Sequence, residues 1–438
     1  MTIITSIAGG AEAVGGAETG LSTKTGSLLR LATAGSVDDG KSTLVGRLLH
    51  DLRVVMPDQL AAVARVSRER GLAGPDLALL TDGLRAEREQ GITIDVAYRY
   101  FATAKRRFIL ADTPGHVQYT RNMVTGASTA QLAVILVDAR HGVVEQTRRH
   151  AAVAALLRVP HIVLLVNKMD LVGFDKDVYA AISAEFARYV ERLGVDDPVS
   201  IPISALRGDN VVEPSTAMDW YQGPTLLQHL EDVPPAPDPS AEPARFPVQY
   251  VIRDGKQDYR GYAGQLVSGV LRPGDEVVVL PSNRRSTIAG IDIAGKPTDE
   301  AFAPQSVTIR LTNDLDVARG ELIASANAAP GVVKELTATV CHLSERPLRV
   351  GDRVLLRHTT RTVQAVVTEF VHWLDVSTLT TIPAPSVLLA NDIARIRLRT
   401  ATPIAADDYA VNRYTGSFLL IDGPSGDTLT AGMIGGEL

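Results

Sequence analysis

The sequence of 438 residues has only one cysteine, Cys341. A single cysteine excludes an intramolecular disulfide and makes a cysteine-rich metal site impossible. Such sparse use of cysteine is typical of proteins from a reducing compartment. We therefore expect a cytoplasmic protein that is not stabilised by disulfides.

Long apolar runs and a strong excess of one charge are also missing. No run approaches the roughly 18 to 20 apolar residues that a membrane span requires, so no membrane partner is predicted. The formal net charge is only −6 at pH 7, which gives no support to a dominant nucleic-acid-binding surface, although a local basic patch stays compatible with it. No nucleic-acid partner is therefore expected.

The first 26 residues lack the basic segment with which a secretory signal begins. They are rich in Gly, Ala, Thr and Ser, a composition that favours a disordered tail over a signal peptide. We expect this tail to cover residues 1–27.

The rest of the chain is long enough for about two to four domains, and its pattern changes once. Up to about residue 232, apolar runs alternate with helical spacing, which predicts an α/β domain (28–232) with a mostly parallel, doubly wound sheet. The proline-rich stretch 233–244 predicts a stiff, extended linker. Short alternating strands follow, and they predict two small antiparallel β-barrels at 245–330 and 333–438.

Two segments beyond the linker resemble each other, RPGDEVVVL (272–280) and RVGDRVLLR (349–357). Each places a Gly-Asp turn before an apolar strand, which indicates that the two barrels are similar. The similar segments are short, and a coincidental similarity is the alternative.

The most specific local signal is GSVDDGKS (35–42), which fits the phosphate-loop pattern G-x-x-x-x-G-K-[ST]. Glycines let the backbone wrap around phosphates at the start of a helix, Lys41 would reach the β and γ oxygens, and the Ser42 hydroxyl would ligate Mg²⁺. The flanking segments predict a strand over 28–34 and a helix over 42–49. The candidate nucleotide-binding residues here are Gly35, Ser36, Val37, Asp38, Asp39, Gly40, Lys41, Ser42 and Thr43.

The second motif, DTPGH (112–116), follows the predicted strand RRFILA. Asp112 would hold Mg²⁺ through water, and the Gly115 N–H would meet the γ-phosphate, with Thr113 and Pro114 completing this sensing segment. His116 stands where a residue that orients the attacking water belongs, and is the candidate catalytic residue. A purely structural histidine is the alternative.

The third and fourth motifs select the base. Asp170 of NKMD can accept both N–H groups of guanine's Watson–Crick edge, whereas adenine would leave the carboxylate unpaired. Asn167 would tie the base loop together, and Lys168 would lie along the ring. The backbone N–H of Ala205, in SALRGDN, would meet the guanine oxygen. The candidate residues of these two motifs are Asn167, Lys168, Met169, Asp170, Ser204, Ala205 and Leu206.

EREQGITID (87–95) predicts a switch segment. The Thr93 hydroxyl and carbonyl would contact Mg²⁺ and the γ-phosphate in the GTP state and release them after hydrolysis. A plain strand-edge threonine is the alternative. Val37 and Ile92 are candidates for an apolar gate that holds His116 back, although core packing explains two apolar residues equally simply. Ser42, Thr93 and, through water, Asp112 are the candidate Mg²⁺ ligands.

Taken together, these motifs resemble the translation-factor class of P-loop GTPases, and within it the family of sulfate adenylyltransferase subunit 1. The similarity extends over about 28–434. The segments that carry it are GSVDDGKSTLVGRLL (35–49), TDGLRAEREQGITIDVAYRYF (81–101), DTPGHVQYTRNMVTGASTAQLAVILVDAR (112–140), SIPISALRGDNVV (200–212), WYQGPTLLQHLE (220–231), NRYTGSFLLID (412–422) and TLTAGMI (428–434).

The resemblance implies a GTPase subunit whose GTP hydrolysis, with Mg²⁺, drives formation of adenylyl sulfate and pyrophosphate from ATP and sulfate, the first step of sulfate assimilation. It also implies a partner, the small ATP-binding subunit of sulfate adenylyltransferase, in a heterodimer or a larger assembly. Some family members continue into a fused adenylylsulfate kinase domain, and this sequence has no second phosphate-loop motif.

Two alternatives share the same GTPase skeleton. One is an elongation factor that carries aminoacyl-tRNA, but such factors typically have His where Asp39 stands and a different continuation after the switch segment. The other is a nodulation-type homologue that makes the sulfate donor for a secreted glycan, whose chemistry the motifs do not separate.

Overall fold

The computed structural model describes residues 27–69, 71, 74–80, 96–115, 120–195, 198–254, 259–383 and 385–436. The helices are α1 (Lys41–Asp51), α2 (Pro57–Glu69), α3 (Thr120–Ala127), α4 (Glu145–Leu156), α5 (Lys176–Glu191) and α6 (Leu226–Asp232), with 3₁₀ turns at Leu77–Leu80, Met169–Val172 and Pro239–Ala241. Within these residues, no helix is both long and apolar enough to cross a membrane.

Six strands build the sheet of the α/β domain, in the order β2-β3-β1-β4-β5-β6. The strands are β1 (Leu28–Ala34), β2 (Ala97–Ala102), β3 (Arg107–Asp112), β4 (Leu132–Asp138), β5 (His161–Asn167) and β6 (Val199–Pro202). All neighbours pair in parallel except β2, which runs antiparallel to β3 at one edge. The mostly parallel sheet is thus confirmed, and the carboxyl ends of its parallel strands meet at one edge.

Both faces of this sheet are buried, which explains why its strands are continuous apolar runs. One face packs against α3, α4 and α5, with Ile135, Leu164 and Phe186 in its core. The other face packs against α1 and α6 through residues such as Leu48 and Leu226. Helices on both faces are what the alternating pattern predicts.

In the described part of the chain, eighteen strands follow, and twelve of them form two closed barrels. The first barrel consists of β7 (Arg245–Asp254), β8 (Tyr259–Gln265), β10 (Glu276–Leu280), β11 (Arg284–Ile293), β14 (Ser306–Leu311) and β15 (Leu322–Ser325), and the second of β16 (Gly331–His342), β18 (Arg353–His358), β19 (Arg361–Asp375), β22 (Ile393–Ala406), β23 (Ser417–Ile421) and β24 (Thr428–Ile434). The remaining short strands are β9 (Val270–Leu271), β12 (Lys296–Thr298), β13 (Ala301–Phe302), β17 (Leu348–Arg349), β20 (Thr380–Pro383) and β21 (Val387–Leu388). Pairing of β10 with β11 closes the first barrel, and pairing of β18 with β19 closes the second.

The two similar sequence segments form the same turn in the two barrels. Gly274 and Gly351 have φ of 95° and 93°, a left-handed conformation that glycine adopts without steric cost. Each glycine N–H donates to a carbonyl of the adjacent strand, Ile288 O of β11 in the first barrel and Val367 O of β19 in the second, at 2.8 Å in both. The two segments therefore form equivalent turns, each of which precedes a strand that closes its barrel, β10 in the first and β18 in the second.

Hydrogen bonds to both neighbouring domains anchor the proline-rich linker. His161 Nε2 contacts Pro234 O at 3.1 Å, at the start of β5. Gly269 N, which belongs to the first barrel, donates to Pro239 O at 2.8 Å. These contacts fix the path of the chain between the sheet and the barrel.

The loop between β22 and β23, residues 407–416, joins the two barrels. Asp407 accepts two hydrogen bonds from Arg245 of the first barrel, at 2.8 Å from Nε and 2.9 Å from Nη2. Asn412 Nδ2 donates to Ser268 Oγ at 3.0 Å. The Arg245 and Asp407 side chains are only 5% and 8% exposed, so the ion pair is buried between the barrels.

The same loop also reaches the α/β domain. Tyr409 Oη donates to Leu157 O at 3.0 Å, just beyond α4. Arg413 Nη2 donates to Ser128 O at 2.9 Å, at the end of α3. One loop of the second barrel therefore contacts both of the other domains.

Candidate nucleotide-binding site

The phosphate-loop motif lies between β1 and α1, as the sequence predicts. The Ser36 N–H donates to Asp39 Oδ2 at 2.5 Å, which closes the loop on itself. Lys41 Nζ donates to Gly35 O at 2.9 Å and to Ser36 O at 2.8 Å. α1 begins at Lys41 after Gly40, and Ser42 and Thr43 lie in its first turn. The loop is thus preformed at a helix N-terminus, where backbone N–H groups favour an anion.

Burial shifts two pKa values inside this loop. Burial lowers the pKa of Lys41, against the opposing effect of the Asp112, Asp39 and Asp38 carboxylates. Burial raises the pKa of Asp39, while the Ser36 N–H and Lys41 act in the opposite direction. The carboxylates around Lys41 favour its charged form, which is the form that binds phosphate oxygens.

The segment Asp112–Gly115 lies directly against the phosphate loop. A Cβ atom at Gly115 would overlap Lys41 Nζ and Gly35 O, so only glycine allows this close approach. Asp112 is buried at the end of β3, where its Oδ1 accepts from Thr33 Oγ1 at 2.9 Å. Thr113 Oγ1 donates to Thr33 O at 2.5 Å. Pro114 connects Thr113 to Gly115. These contacts join β1 and β3 behind the loop.

Asn167 connects the base motifs to the phosphate loop. It ends β5, its Nδ2 donates to Asp39 O at 2.7 Å, and its Oδ1 accepts from Ala205 N at 2.9 Å. Ala205 is 1% exposed. The loops that follow β1, β5 and β6 therefore converge on one amide side chain.

Asp170, in the NKMD motif after β5, faces Ser204, in the loop after β6. Ser204 Oγ donates to Asp170 Oδ1 at 2.6 Å. The Asp170 side chain is 6% exposed. Leu206 is 68% exposed, whereas Met169 is fully buried in the hydrophobic core, so the Met169 side chain is not accessible to a ligand. Val37 is 38% exposed, which is more than core packing alone would leave.

Lys168 has a buried partner that the sequence analysis missed. Its Nζ lies 2.9 Å from Asp138 Oδ2, at the end of β4, and Arg140 Nη2 donates to the same oxygen at 2.6 Å. Burial opposes ionisation of Asp138, but the hydrogen bonds from Arg140 and Lys168 outweigh it and hold the pKa of Asp138 below its ordinary value. Asp138 thus orients Lys168. The only sequence signal was an acidic residue ending an apolar strand beside β5.

The hard oxygen donors of Ser42 and Asp112 fit Mg²⁺, which prefers hydroxyl, carboxylate, phosphate and water oxygens. Thr93, Ile92 and His116 lie outside the described residues, as do residues 1–26 of the predicted tail. The structure describes twenty of the twenty-two predicted binding and catalytic positions, and these twenty lie at one edge of the sheet or directly behind it.

Comparison with known proteins gives two family matches. The family of the elongation factor Tu GTP-binding domain matches residues 26–236, and the family described as GTP-eEF1A C-terminal domain-like matches residues 335–435. The first match covers the phosphate loop and both base motifs. The α/β domain is therefore a GTP-binding domain of the translation-factor type.

Curated relatives match almost the whole chain. The bifunctional enzyme CysN/CysC of Mycobacterium tuberculosis (strain ATCC 25618 / H37Rv) is 56% identical over 93% of this chain and 67% of its own length. Sulfate adenylyltransferase subunit 1 of Shewanella oneidensis is 51% identical over 93% of this chain and 85% of its own length. The bifunctional enzyme NodQ of Rhizobium sp. (strain N33) is 49% identical over 93% of this chain and 63% of its own length. With these identities and its GTP-binding domain, the chain belongs to the family of sulfate adenylyltransferase subunit 1, the GTPase subunits of that enzyme.

Proposed function

We propose that GTP hydrolysis by this chain drives the formation of adenylyl sulfate and pyrophosphate from ATP and sulfate on a separate small subunit. The phosphosulfate anhydride formed is less stable than the phosphoanhydride broken, so the reaction runs uphill without coupling. The observation that carries the proposal is the convergence of Asn167, Asp170 and Ala205 beside the phosphate loop. A site selective for guanine leaves ATP to be bound elsewhere, which calls for a partner.

The proposed roles follow the geometry of the site. Backbone N–H groups of the phosphate loop and Lys41 bind the phosphates, and Asp170 accepts from the guanine edge. The Ala205 N–H, which donates to Asn167 Oδ1 in this structure, is shared with the guanine oxygen when the nucleotide binds. Ser42, Thr93 and, through water, Asp112 hold Mg²⁺, which neutralises charge on the β- and γ-phosphates when bound. The proposed location is the cytoplasm, and the proposed assembly is a heterodimer with the small ATP-binding subunit, or a larger complex.

The first test of this function is reconstitution. We expect the chain alone to hydrolyse GTP slowly and not to adenylylate sulfate, and a mixture with the small subunit to give GTP-stimulated adenylyl sulfate synthesis. A partner can sense the γ-phosphate through contacts that differ between the two nucleotide states. The measurement is pyrophosphate release from ATP and sulfate with GTP, GDP or a non-hydrolysable GTP analogue, with and without each subunit.

The controls separate the alternatives. Synthesis that depends on sulfate but ignores this chain and its GTP would overturn the proposal. Tight, GTP-dependent binding of aminoacyl-tRNA would replace it with the elongation-factor function.

A second test concerns His116, which we propose orients the attacking water. The substitution His116→Ala should leave the affinity for GTP within a few-fold and lower the hydrolysis rate by about a hundredfold or more. Single-turnover hydrolysis and equilibrium binding of a fluorescent GTP analogue measure the two effects separately.

Two further substitutions calibrate that result. His372→Ala removes an exposed histidine from the second barrel and should change neither quantity. Ser42→Ala should weaken nucleotide binding itself, because it removes a Mg²⁺ ligand. An equal loss of binding and turnover in His116→Ala would show that His116 is structural.

A further inference from the structure

We propose that Arg47 is a positioning residue for guanine recognition, which holds the Ala205–Leu206 backbone at the distance from the phosphate loop that the base requires. The inference rests on the proposed guanine site, but it is independent of the sulfate chemistry. Arg47 is not among the predicted nucleotide-binding residues, so only its contacts point to this role.

Arg47 reaches from α1 to the loop that follows β6. Its Nε donates to Ala205 O at 3.1 Å, and its Nη2 donates to Leu206 O. Its Nη1 also lies 3.4 Å from Asp51 Oδ1, one turn further along the helix. The Arg47 side chain is 19% exposed. A planar guanidinium is suited to hold two consecutive carbonyls, because its N–H groups form a rigid fork.

These bonds complete a connection between the two ends of the nucleotide site. α1 begins at Lys41, so Arg47 belongs to the helix that carries the phosphate loop. On the opposite side of the loop after β6, the Asn167 side chain accepts from Ala205 N and donates to Asp39 O. The Ala205 peptide is therefore held from both sides, through its N–H by Asn167 and through its carbonyl by Arg47.

Hydrogen bonds within the loop after β6, residues 204–209, do not replace those of Arg47. Gly208 N donates to Ser204 O at 2.7 Å, and Ser204 N donates to Asp209 O at 3.2 Å. These bonds close the turn, but both partners of each bond lie in the loop itself. Leu206 at its tip is 68% exposed, so no apolar packing of that side chain fixes the tip. The two bonds from Arg47 link it to α1.

The test combines a change in the protein with a change in the base. In 6-thio-GTP the sulfur is a poor acceptor for the Ala205 N–H, while the N1–H and 2-amino groups that Asp170 accepts remain. If Arg47 acts through Ala205, then Arg47→Met should weaken GTP binding by about tenfold and 6-thio-GTP binding by about twofold or less. Such non-additivity identifies coupled groups.

Two variants sharpen the result. Arg47→Lys keeps the charge but not the fork, and should behave like Arg47→Met rather than like the unchanged protein. Arg53→Met makes the same change at an exposed arginine just after α1 and should leave both affinities unchanged. Circular dichroism of each variant establishes that it is folded.

Three outcomes would overturn the inference. Equal weakening of both nucleotides by Arg47→Met would mean that Arg47 supports the fold or the phosphate loop in general. Unchanged binding of both would mean that its contacts are not needed. Full binding by Arg47→Lys would mean that charge alone matters. Failure of the guanine site itself would instead appear in the unchanged protein, as equal affinities for GTP and ATP.

Discussion

The substitution Asp170→Asn should weaken GTP binding and shift the preference of the site towards xanthosine triphosphate. Asp170 is buried, and Ser204 Oγ already donates to its Oδ1 at 2.6 Å, which leaves carboxylate lone pairs for the two N–H groups of guanine. Loss of a charged, two-point contact should cost about 2–4 kcal/mol, or about 30-fold to 700-fold in affinity. An amide can donate to the 2-oxo group of xanthine, where a carboxylate only accepts.

Equilibrium titration with GTP, xanthosine triphosphate and ATP measures this shift. Asp177→Asn removes the same charge from an exposed position in the first turn of α5 and should leave all three affinities unchanged. Full GTP affinity in Asp170→Asn, with no gain for xanthosine triphosphate, would mean that Asp170 does not read the base.

The substitution Asp407→Ala should destabilise the joined barrels by about 3–5 kcal/mol, because it leaves the Arg245 guanidinium buried without its counter-charge. Burial opposes ionisation of Asp407, but hydrogen bonds from Arg245 and Thr415 outweigh it and hold its pKa below the ordinary value. The pair therefore stabilises the fold above the unfolded pKa near 4, and this contribution is lost as the pH falls through the folded pKa.

Urea unfolding followed by fluorescence of Trp373, which lies in β19 of the second barrel, measures the loss. The unfolding is measured in a Trp220→Phe background, so that the tryptophan of the α/β domain does not contribute to the fluorescence. Glu369→Ala breaks the exposed pair with Arg397 and should cost less than about 1 kcal/mol. A loss in Asp407→Ala no larger than in Glu369→Ala would show that the buried pair does not hold the barrels together.

Local patterns sufficed for the α/β domain and for the placement of its loops. The strand predicted over 28–34 is β1, and the strand predicted at RRFILA, before DTPGH, forms as β3. The helix predicted over 42–49 forms at Lys41–Asp51. These elements are predictable because a strand buried on both faces and an amphipathic helix each impose a periodicity on neighbouring residues. Nucleotide motifs are equally local, since a phosphate is held by the consecutive backbone N–H groups of one loop.

Contacts between distant segments leave no such pattern. Arg47 and Ala205 are joined only because α1 and the loop after β6 lie at the same sheet edge, and Asp138 faces Lys168 only because β4 pairs with β5. The meeting of Arg245 with Asp407 likewise depends on how two closed barrels pack. Such pairs involve common residue types at unrelated positions, so the sequence specified the loops that bind, and the tertiary structure decided which side chains hold those loops in place.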